Sequence, residues 1–588
     1  MTMAQANNSK LSPELQGYTS STPVQVIVQY APGTTPPGAQ ASGTQANCGG
    51  LLGLVDCVVV DVANLVDGTI LGQLPLINGI VALLDGNSIQ SLSNQSNVVY
   101  ISSDRPLSPS LSNAAVAVNA PFAWESGYTG TGVGVALIDS GVSNHPDLNT
   151  GILPFSRVVY QQSFVSGNSS ASDQYGHGTH VAGLIAGDGL SSTGPFYTKT
   201  FKGIAPGASI INLRVLDQNG AGTDSLVIAA INQAISLKSR YNIRVINLSL
   251  GRAVYETYTL DPLCQAVEKA WKAGIVVVVA AGNNGRYQPT DGYATVTSPG
   301  NDPYVITVGA MKPMGTPTRT DDLIASYSSK GPTVVDAVVK PDIVAPGNLL
   351  TSLEAPNSTL YNELPGNQVP YSYYVNGGSS SSSSSYFTLS GTSMATGIVS
   401  GVVADLLQKS PKLTPDQVKA RLMLTAYKTF PLSSSTTDPT TGITYTDQYD
   451  VFTVGAGYVD VEAALNSTAV ASGTAMSPIT TFNSSTNQVT MTGNSTAVWN
   501  TSSTWSESAV WGSNQFVGTA QGSAVAASNV AASNVLWGSN VLWGSSAVWG
   551  SNVLWGSNVL WGSNVLWGSN VLWGSNVLWG SNVSGGEQ

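Results

Sequence analysis

Val133-Gly134-Val135-Ala136-Leu137-Ile138, Ser209-Ile210-Ile211-Asn212-Leu213-Arg214-Val215, Val245-Ile246-Asn247-Leu248-Ser249 and Ile275-Val276-Val277-Val278-Val279-Ala280 are near-continuous apolar runs of strand length. A strand with one wet face alternates apolar and polar residues, so runs apolar at almost every position suit a parallel sheet covered on both faces. Helical patterns, Asp224 to Lys238 and Leu260 to Ala273, lie between them. Strands alternating with helices predict an α/β domain.

Around that core the 588-residue chain is unevenly charged. It has 22 Lys and Arg against 33 Asp and Glu, 9% charged in all, with a net charge of -11; ordinary soluble domains carry about 25%. Residues 121–465 hold most of these charges, whereas the last 123 residues hold only Glu507 and Glu587. So little positive charge argues against a nucleic-acid partner and a polybasic surface. Compositional disorder is not indicated, because 42% of the residues are hydrophobic. No apolar run reaches membrane-spanning length, since Asp56, Asp61 and Asp67 interrupt the region from Leu51 to Leu84.

Ahead of the core, Val24 to Tyr30 alternates with period two, Ile77 to Leu84 reads as a helix, and Val98 to Ile101 reads as a last strand: a small α+β pattern. The Pro-rich Arg105-Pro106-Leu107-Ser108-Pro109 reads as a linker. Three cysteines are too few for a disulfide scaffold. Cys48 and Cys57 either pair across a short loop or remain buried thiols, and Cys264 has no partner in sequence. Met1 to Lys10 lacks the apolar core of a signal peptide.

Behind the core, a Ser/Thr/Asn-rich stretch leads into a repeat of Asn-Val-Leu-Trp-Gly-Ser, with Trp537, Trp543, Trp549, Trp555, Trp561, Trp567, Trp573 and Trp579 six residues apart. Even period keeps Val, Trp and Ser on one strand face, so stacked short strands would make a Trp ladder. A disordered sticky tail, an aggregating segment and a cell-surface or polysaccharide anchor are the other readings of the same pattern.

Three segments carry reactive side chains. Ile138-Asp139-Ser140-Gly141-Val142 ends an apolar strand on an Asp, and Gly176-His177-Gly178-Thr179-His180-Val181-Ala182-Gly183 opens a helix with two of the chain's three histidines. Leu389-Ser390-Gly391-Thr392-Ser393-Met394-Ala395-Thr396-Gly397 sets a Ser at the start of an apolar helix. Such an end supplies backbone N–H groups and partial positive charge to a developing oxyanion. It is not the Gly-x-Ser-x-Gly elbow, because Ala395 stands at the last glycine position. His177 and His180 alone do not make a zinc site, having no third ligand cluster.

These three motifs, in the order Asp, His, Ser, resemble the subtilase family of serine peptidases over residues 118–465. His145-Pro146-Asp147-Leu148, Asn247-Leu248-Ser249-Leu250-Gly251, Ala280-Ala281-Gly282-Asn283 and Ala345-Pro346-Gly347 add to the resemblance. It implies a subtilisin-like parallel sheet flanked by helices, and a serine endopeptidase with Ser393 as nucleophile, His177 as general base and Asp139 orienting the imidazole. Asn283 would be the oxyanion asparagine. Ser249, Leu250 and Gly251, with Ala281 and Gly282, would flank an extended substrate, giving broad specificity through backbone pairing. His180 would be structural.

The resemblance also divides the chain: 1–20 leader, 21–105 propeptide and inhibitor, 106–117 processing linker, 118–465 peptidase, 466–496 linker and 497–588 repeat tail. It implies a zymogen that cuts itself between Asp104 and Asn119, an extracellular or cell-surface location, protein or peptide substrates and the propeptide as inhibitor; the lack of charge in the tail, by itself, favours self-association or surface contact. A surface or matrix repeat protein with a vestigial peptidase is the competing reading, opposed by Asp139, His177, Ser393 and Asn283. No cofactor is required for the chemistry. Asp147 matches a calcium ligand of some subtilases, but Gly187 to Gly203 does not reproduce the usual ligand run, so the metal site is unknown and calcium stays unassigned. Thr396-Gly397 replaces the family's Ser-Pro, from which altered acyl transfer is expected. The stretch between Gly347 and Gly391, with serines from Ser379 to Ser385, is expected as a flexible surface loop near the active-site entrance.

Overall fold

The computed structural model describes residues 7–12, 15–34, 68–104, 106–109, 115–150, 155–194, 196–316, 318–438, 441–483, 488–492 and 498–499. Cys48, Cys57 and all but two residues of the repeat tail lie outside them.

An eight-stranded sheet forms the core. From one edge it runs Leu323–Ile324, Ile306–Lys312, Val276–Ala280, Ile243–Leu248, Gly134–Asp139, Ser209–Arg214 and Val158–Ser163, with Ile343–Pro346 also paired to Ile306–Lys312. Every pairing is parallel except that of Leu323–Ile324. The four apolar runs are its central strands, and Gly134–Asp139 and Val276–Ala280 are buried at every position. The chain leaves Gly134–Asp139 toward one side and later returns to pair Ile243–Leu248 on its other side. That reversal opens a crevice at the carboxyl ends of the two strands, where Asp139 and Ser249 stand.

Two helices run through this core. His177–Ala186 is buried at all ten residues and Thr392–Lys409 from Thr392 to Leu407. A helix apolar on all faces belongs inside.

The first unit is a four-stranded antiparallel sheet in the order Gly68–Leu74, Gly79–Leu84, Val24–Tyr30 and Val98–Ser103, with one helix, Gly86–Ser93. The reading of Ile77 to Leu84 as a helix is corrected: Gly79–Leu84 is a strand paired on both edges. An eight-residue apolar run has no helical or strand period of its own, and two partner strands decide it. Leu11 and Leu15, inside the stretch read as leader, are buried in this unit's core with Val26, Val28 and Ile80.

Two further expectations change. The stretch between Gly347 and Gly391 is not a loose loop. Leu350–Leu353, Ser382–Leu389 and Gln368–Pro370 form a three-stranded sheet, and part of the serine run lies in the middle strand. Phe201 and Tyr374 pack edge-on against Tyr386 there, and aromatic burial supplies the apolar surface that serines lack. Within the expected linker 466–496, Ala471 and Ala475 are buried, and the Ser477 hydroxyl serves the buried Lys419 (2.8 Å) and Asp342 (2.6 Å). Buried charges need such partners.

Candidate active site

The site is assembled from chain ends that point into the crevice. Asp139 is the last residue of its strand, and His177 opens its helix. His177 Nδ1 lies 2.6 Å from Asp139 Oδ1, and both side chains are fully buried. The Ser140 N–H also donates to Oδ1 (2.7 Å), while Asp139 Oδ2 has no hydrogen-bond partner among the described residues. The strand end and the helix start meet this closely because residue 178 is Gly: a Cβ there would come within 2.2 Å of the Gly141 carbonyl.

Asp173, a residue not singled out from sequence, fixes where that helix begins. Its Oδ1 accepts from Gly176 N (2.7 Å), its Oδ2 from Thr179 N (2.8 Å) and Thr179 Oγ1 (2.7 Å). The Ser140 hydroxyl donates to Asp173 (2.8 Å) and accepts from Gly178 N (2.9 Å), tying the strand end to the helix start. Burial pushes the Asp173 carboxyl above its usual range while these donors pull it back. Asp173 stands three residues ahead of the cap position, Gly176, so the N-cap signal in the sequence does not single it out.

Ser393 is the second residue of its helix, where the backbone N–H has no intrahelical acceptor. Asn283 Oδ1 accepts from Thr392 N (2.9 Å) and Thr392 Oγ1 (3.1 Å), which fixes the amide against the turn that carries Ser393. The Thr392 hydroxyl in turn accepts from Gly282 N (3.1 Å). Ser249 clasps Ser393 twice: its hydroxyl donates to the Ser393 carbonyl (2.7 Å), and its own carbonyl accepts from Ser393 Oγ (3.0 Å). A Cβ at Gly397 would lie 3.3 Å from Val181 Cγ1, so the two helices touch there. Ser393 and His177 each stand four residues, about 6 Å of helix, ahead of that contact. Gly397 therefore faces the His177 helix.

His180, on the same helix, is fully buried with Nε2 at 3.1 Å from the carbonyls of Leu350 and Phe387. Burial and the neighbouring His177 push its imidazole down to about 3, so it stays neutral.

Leu250–Gly251 continues from Ser249 as a short strand, and its partner is this chain's own Pro106–Pro109, antiparallel, with Leu250 opposite Pro109 and Gly251 opposite Ser108. Gly222–Thr223 pairs with the other edge of the same segment. Pro106–Pro109, the described start of the expected linker, is thus a strand held on both sides. Behind Gly251, Arg252 is buried and reaches Asp224 (3.0 Å) and Asp261 (2.8 Å), while its backbone exchanges hydrogen bonds with Ser298. Ala281 binds Thr297 N through its carbonyl (3.0 Å), next to Gly282. The adjacent residues Thr297 and Ser298 thus join the two expected substrate-flanking segments, Thr297 bonding to Ala281 and Ser298 to Arg252 beside Gly251.

The surroundings of Asp147 do not fit a calcium ion. Its Oδ1 accepts from Ser191 N (2.7 Å) and its Oδ2 from the Tyr386 hydroxyl (2.6 Å). Its carbonyl accepts from Asp188 N and from the Arg157 guanidinium, which also donates to the carbonyl of Ala186. His145 Nδ1 accepts from Asp147 N (3.1 Å), and burial pushes this imidazole down. Oxygens that a cation would need already have donors. Among the described residues, no group of three His, Cys, Asp or Glu could hold a metal ion.

A buried Asp–His pair, a serine at a helix start and an asparagine fixed beside it, all at the carboxyl edge of a parallel sheet, define a serine hydrolase of the α/β class. Comparison with known proteins narrows this. Residues 130–457 match the model of the subtilase family. Serine protease AprX of Bacillus subtilis is 40% identical over 342 residues, covering 56% of this chain and 70% of AprX. Subtilisin E of the same species is 34% identical over 371 residues, covering 62% of this chain and 80% of its own. Fervidolysin of Fervidobacterium pennivorans, described as a keratinolytic enzyme related to subtilisin, shares the fold at a TM-score of 0.50 and 23% identity, covering 76% of this chain and 61% of its own. The chain belongs to the subtilase family and is a hydrolase of the serine endopeptidase type.

Proposed function

We propose that this chain is an exported endopeptidase, made as a zymogen, that cleaves peptide bonds through Asp139, His177 and Ser393. Ser393 Oγ attacks the scissile carbonyl as His177 takes its proton; the acyl-enzyme forms when the imidazolium returns that proton to the leaving amine, and water then repeats the sequence. Asp139 holds the imidazole and offsets its positive charge. Asn283 and the Ser393 N–H receive the oxyanion, an interaction of about 3 kcal/mol when such a donor is judged by its removal. Leu250–Gly251 supplies backbone pairing, so substrates are extended segments of protein chosen mainly by accessibility.

The observation that carries the zymogen reading is the chain's own strand Pro106–Pro109 paired with Leu250–Gly251. The unit ahead of it supports the same reading. Asp104 accepts from Ser225 N (2.7 Å) at the start of the helix Asp224–Tyr241, and Gln29 donates to the Leu260 carbonyl (3.1 Å). This unit would fold on the peptidase, fill its substrate edge and be cut away in the region after Asp104. Among the described residues no helix is long and apolar enough to cross a membrane, and the repeat tail would serve self-association or surface contact outside the cell. Intact mass tests self-processing: wild type should lack the first unit while Ser393→Ala retains it. Equal masses under active conditions would remove the zymogen reading.

A further inference from the structure

Behind the nucleophile lies a chain of hydrogen bonds in which every proton has one allowed direction. The Ser393 carbonyl can only accept, so the Ser249 hydroxyl donates to it (2.7 Å). With its single proton committed, Ser249 Oγ must accept the bond it shares with Asn247 Nδ2 (2.9 Å). That fixes the Asn247 amide, leaving Oδ1 to accept from the Ser400 hydroxyl (2.8 Å). All four residues are buried, with Ser393 the most exposed at 2%. Solvent therefore does not compete for these bonds.

Ser400 sits two turns beyond Ser393 on the same helix. A helical Ser commonly turns its hydroxyl back to the carbonyl four residues earlier, as Thr396 does to Thr392 (2.8 Å). Ser400 instead reaches off its helix to the strand residue Asn247. At the receiving end, a regular helix points the Gly397 N–H at the same Ser393 carbonyl.

We infer that Ser400 is a positioning residue for catalysis, acting through Asn247 and Ser249 to hold the Ser393 carbonyl. Asn283 pins the turn at Thr392, just before the nucleophile, and the Ser400 chain pins it just after. Without the Ser400 donor the Asn247 amide is free to turn over. Its Oδ1 then takes the Ser249 proton, and the Ser393 carbonyl loses that bond. The nucleophile's backbone drifts although no group that touches substrate has changed.

The inference rests on Ser393 being the nucleophile, so the experiment first requires wild-type hydrolysis of a peptide anilide that disappears in Ser393→Ala. Without it the proposed function fails; with it, the Ser400 variants test only the chain of bonds. For Ser400→Ala, kcat should fall about tenfold with KM near wild type, because small displacements of reacting groups cost rate, and the unfolding midpoint should drop modestly because one buried polar atom of Asn247 loses its partner. Ser400→Thr should restore kcat. Asn247→Asp, which can only accept from Ser249, should fall as far as Ser400→Ala and provides a second reading should either variant fold poorly. Combining Ser400→Ala with Ser249→Ala should cost no more than Ser249→Ala alone. Wild-type kcat in Ser400→Ala, an equal loss in Ser400→Thr, or additive losses in the double variant would overturn the inference.

Discussion

Asp139 and Asp147 lie at opposite ends of the helix His177–Ala186, and their surroundings differ in a way that separates chemistry from structure. Asp139, at the amino end, has one oxygen on the His177 imidazole and a second with no hydrogen-bond partner among the described residues. Asp147, at the carboxyl end, has both oxygens filled by uncharged donors, Ser191 N–H and the Tyr386 hydroxyl. The cation beside Asp147 is the Arg157 guanidinium, spread over backbone carbonyls that include Ala186 O at the helix end, where the helix dipole favours positive charge. In the proposed mechanism one carboxylate would keep capacity for a charge that appears during reaction; the other closes a lock on the helix that carries His177.

That contrast breaks most sharply at Asp139. Asp139→Asn keeps the shape but favours the wrong imidazole tautomer, so kcat should fall about 10⁴-fold. Steady-state hydrolysis beside a thermal melt should show this with little loss of stability. Asn283→Ala should lower kcat by about 10²–10³ with KM nearly unchanged, since its amide acts on charge present only in the transition state. Arg157→Gln should do the reverse: lose about 2–4 kcal/mol of stability by stranding buried carbonyls, while the folded fraction keeps its kcat. With Arg157 in place, a chelator should leave the unfolding midpoint unmoved, because a bound metal would add stability that chelation removes. A chelator-induced fall that Asp147→Asn abolishes would put a cation at Asp147 after all. Among these substitutions the smallest effect on rate is expected from Gly397→Pro, which removes one donor to the Ser393 carbonyl and presses on Val181. It should shift the ratio of aminolysis to hydrolysis in an ester assay; an unchanged ratio would dismiss any role for Gly397 in acyl transfer.

The parallel core is legible in the sequence because its strands are buried on both faces, leaving runs such as Val276 to Ala280 with no polar interruption. The proposed catalytic residues are legible because local motifs hold them at element ends. What stays hidden depends on partners far along the chain. Tyr386 meets Asp147 across 239 positions, and Ser400 meets Asn247 across 153. Nothing near either residue signals that partnership. Gly79–Leu84 is misread for a related reason, since its strand character comes from neighbours that pair with it. The serine run defeats composition: serines that read as loose become a strand when Tyr374, Phe201 and Tyr386 supply the apolar packing.

The central claim is that Ser393 is the nucleophile, made reactive by His177 and Asp139. Treating the purified protein with a peptidyl phosphonate and locating the adduct by peptide mass spectrometry tests it directly. One phosphonyl group should appear on Ser393, peptidase activity should fall in step with labelling, and Ser393→Ala should not be labelled. Full activity in Ser393→Ala, or stoichiometric labelling at another residue, would contradict it.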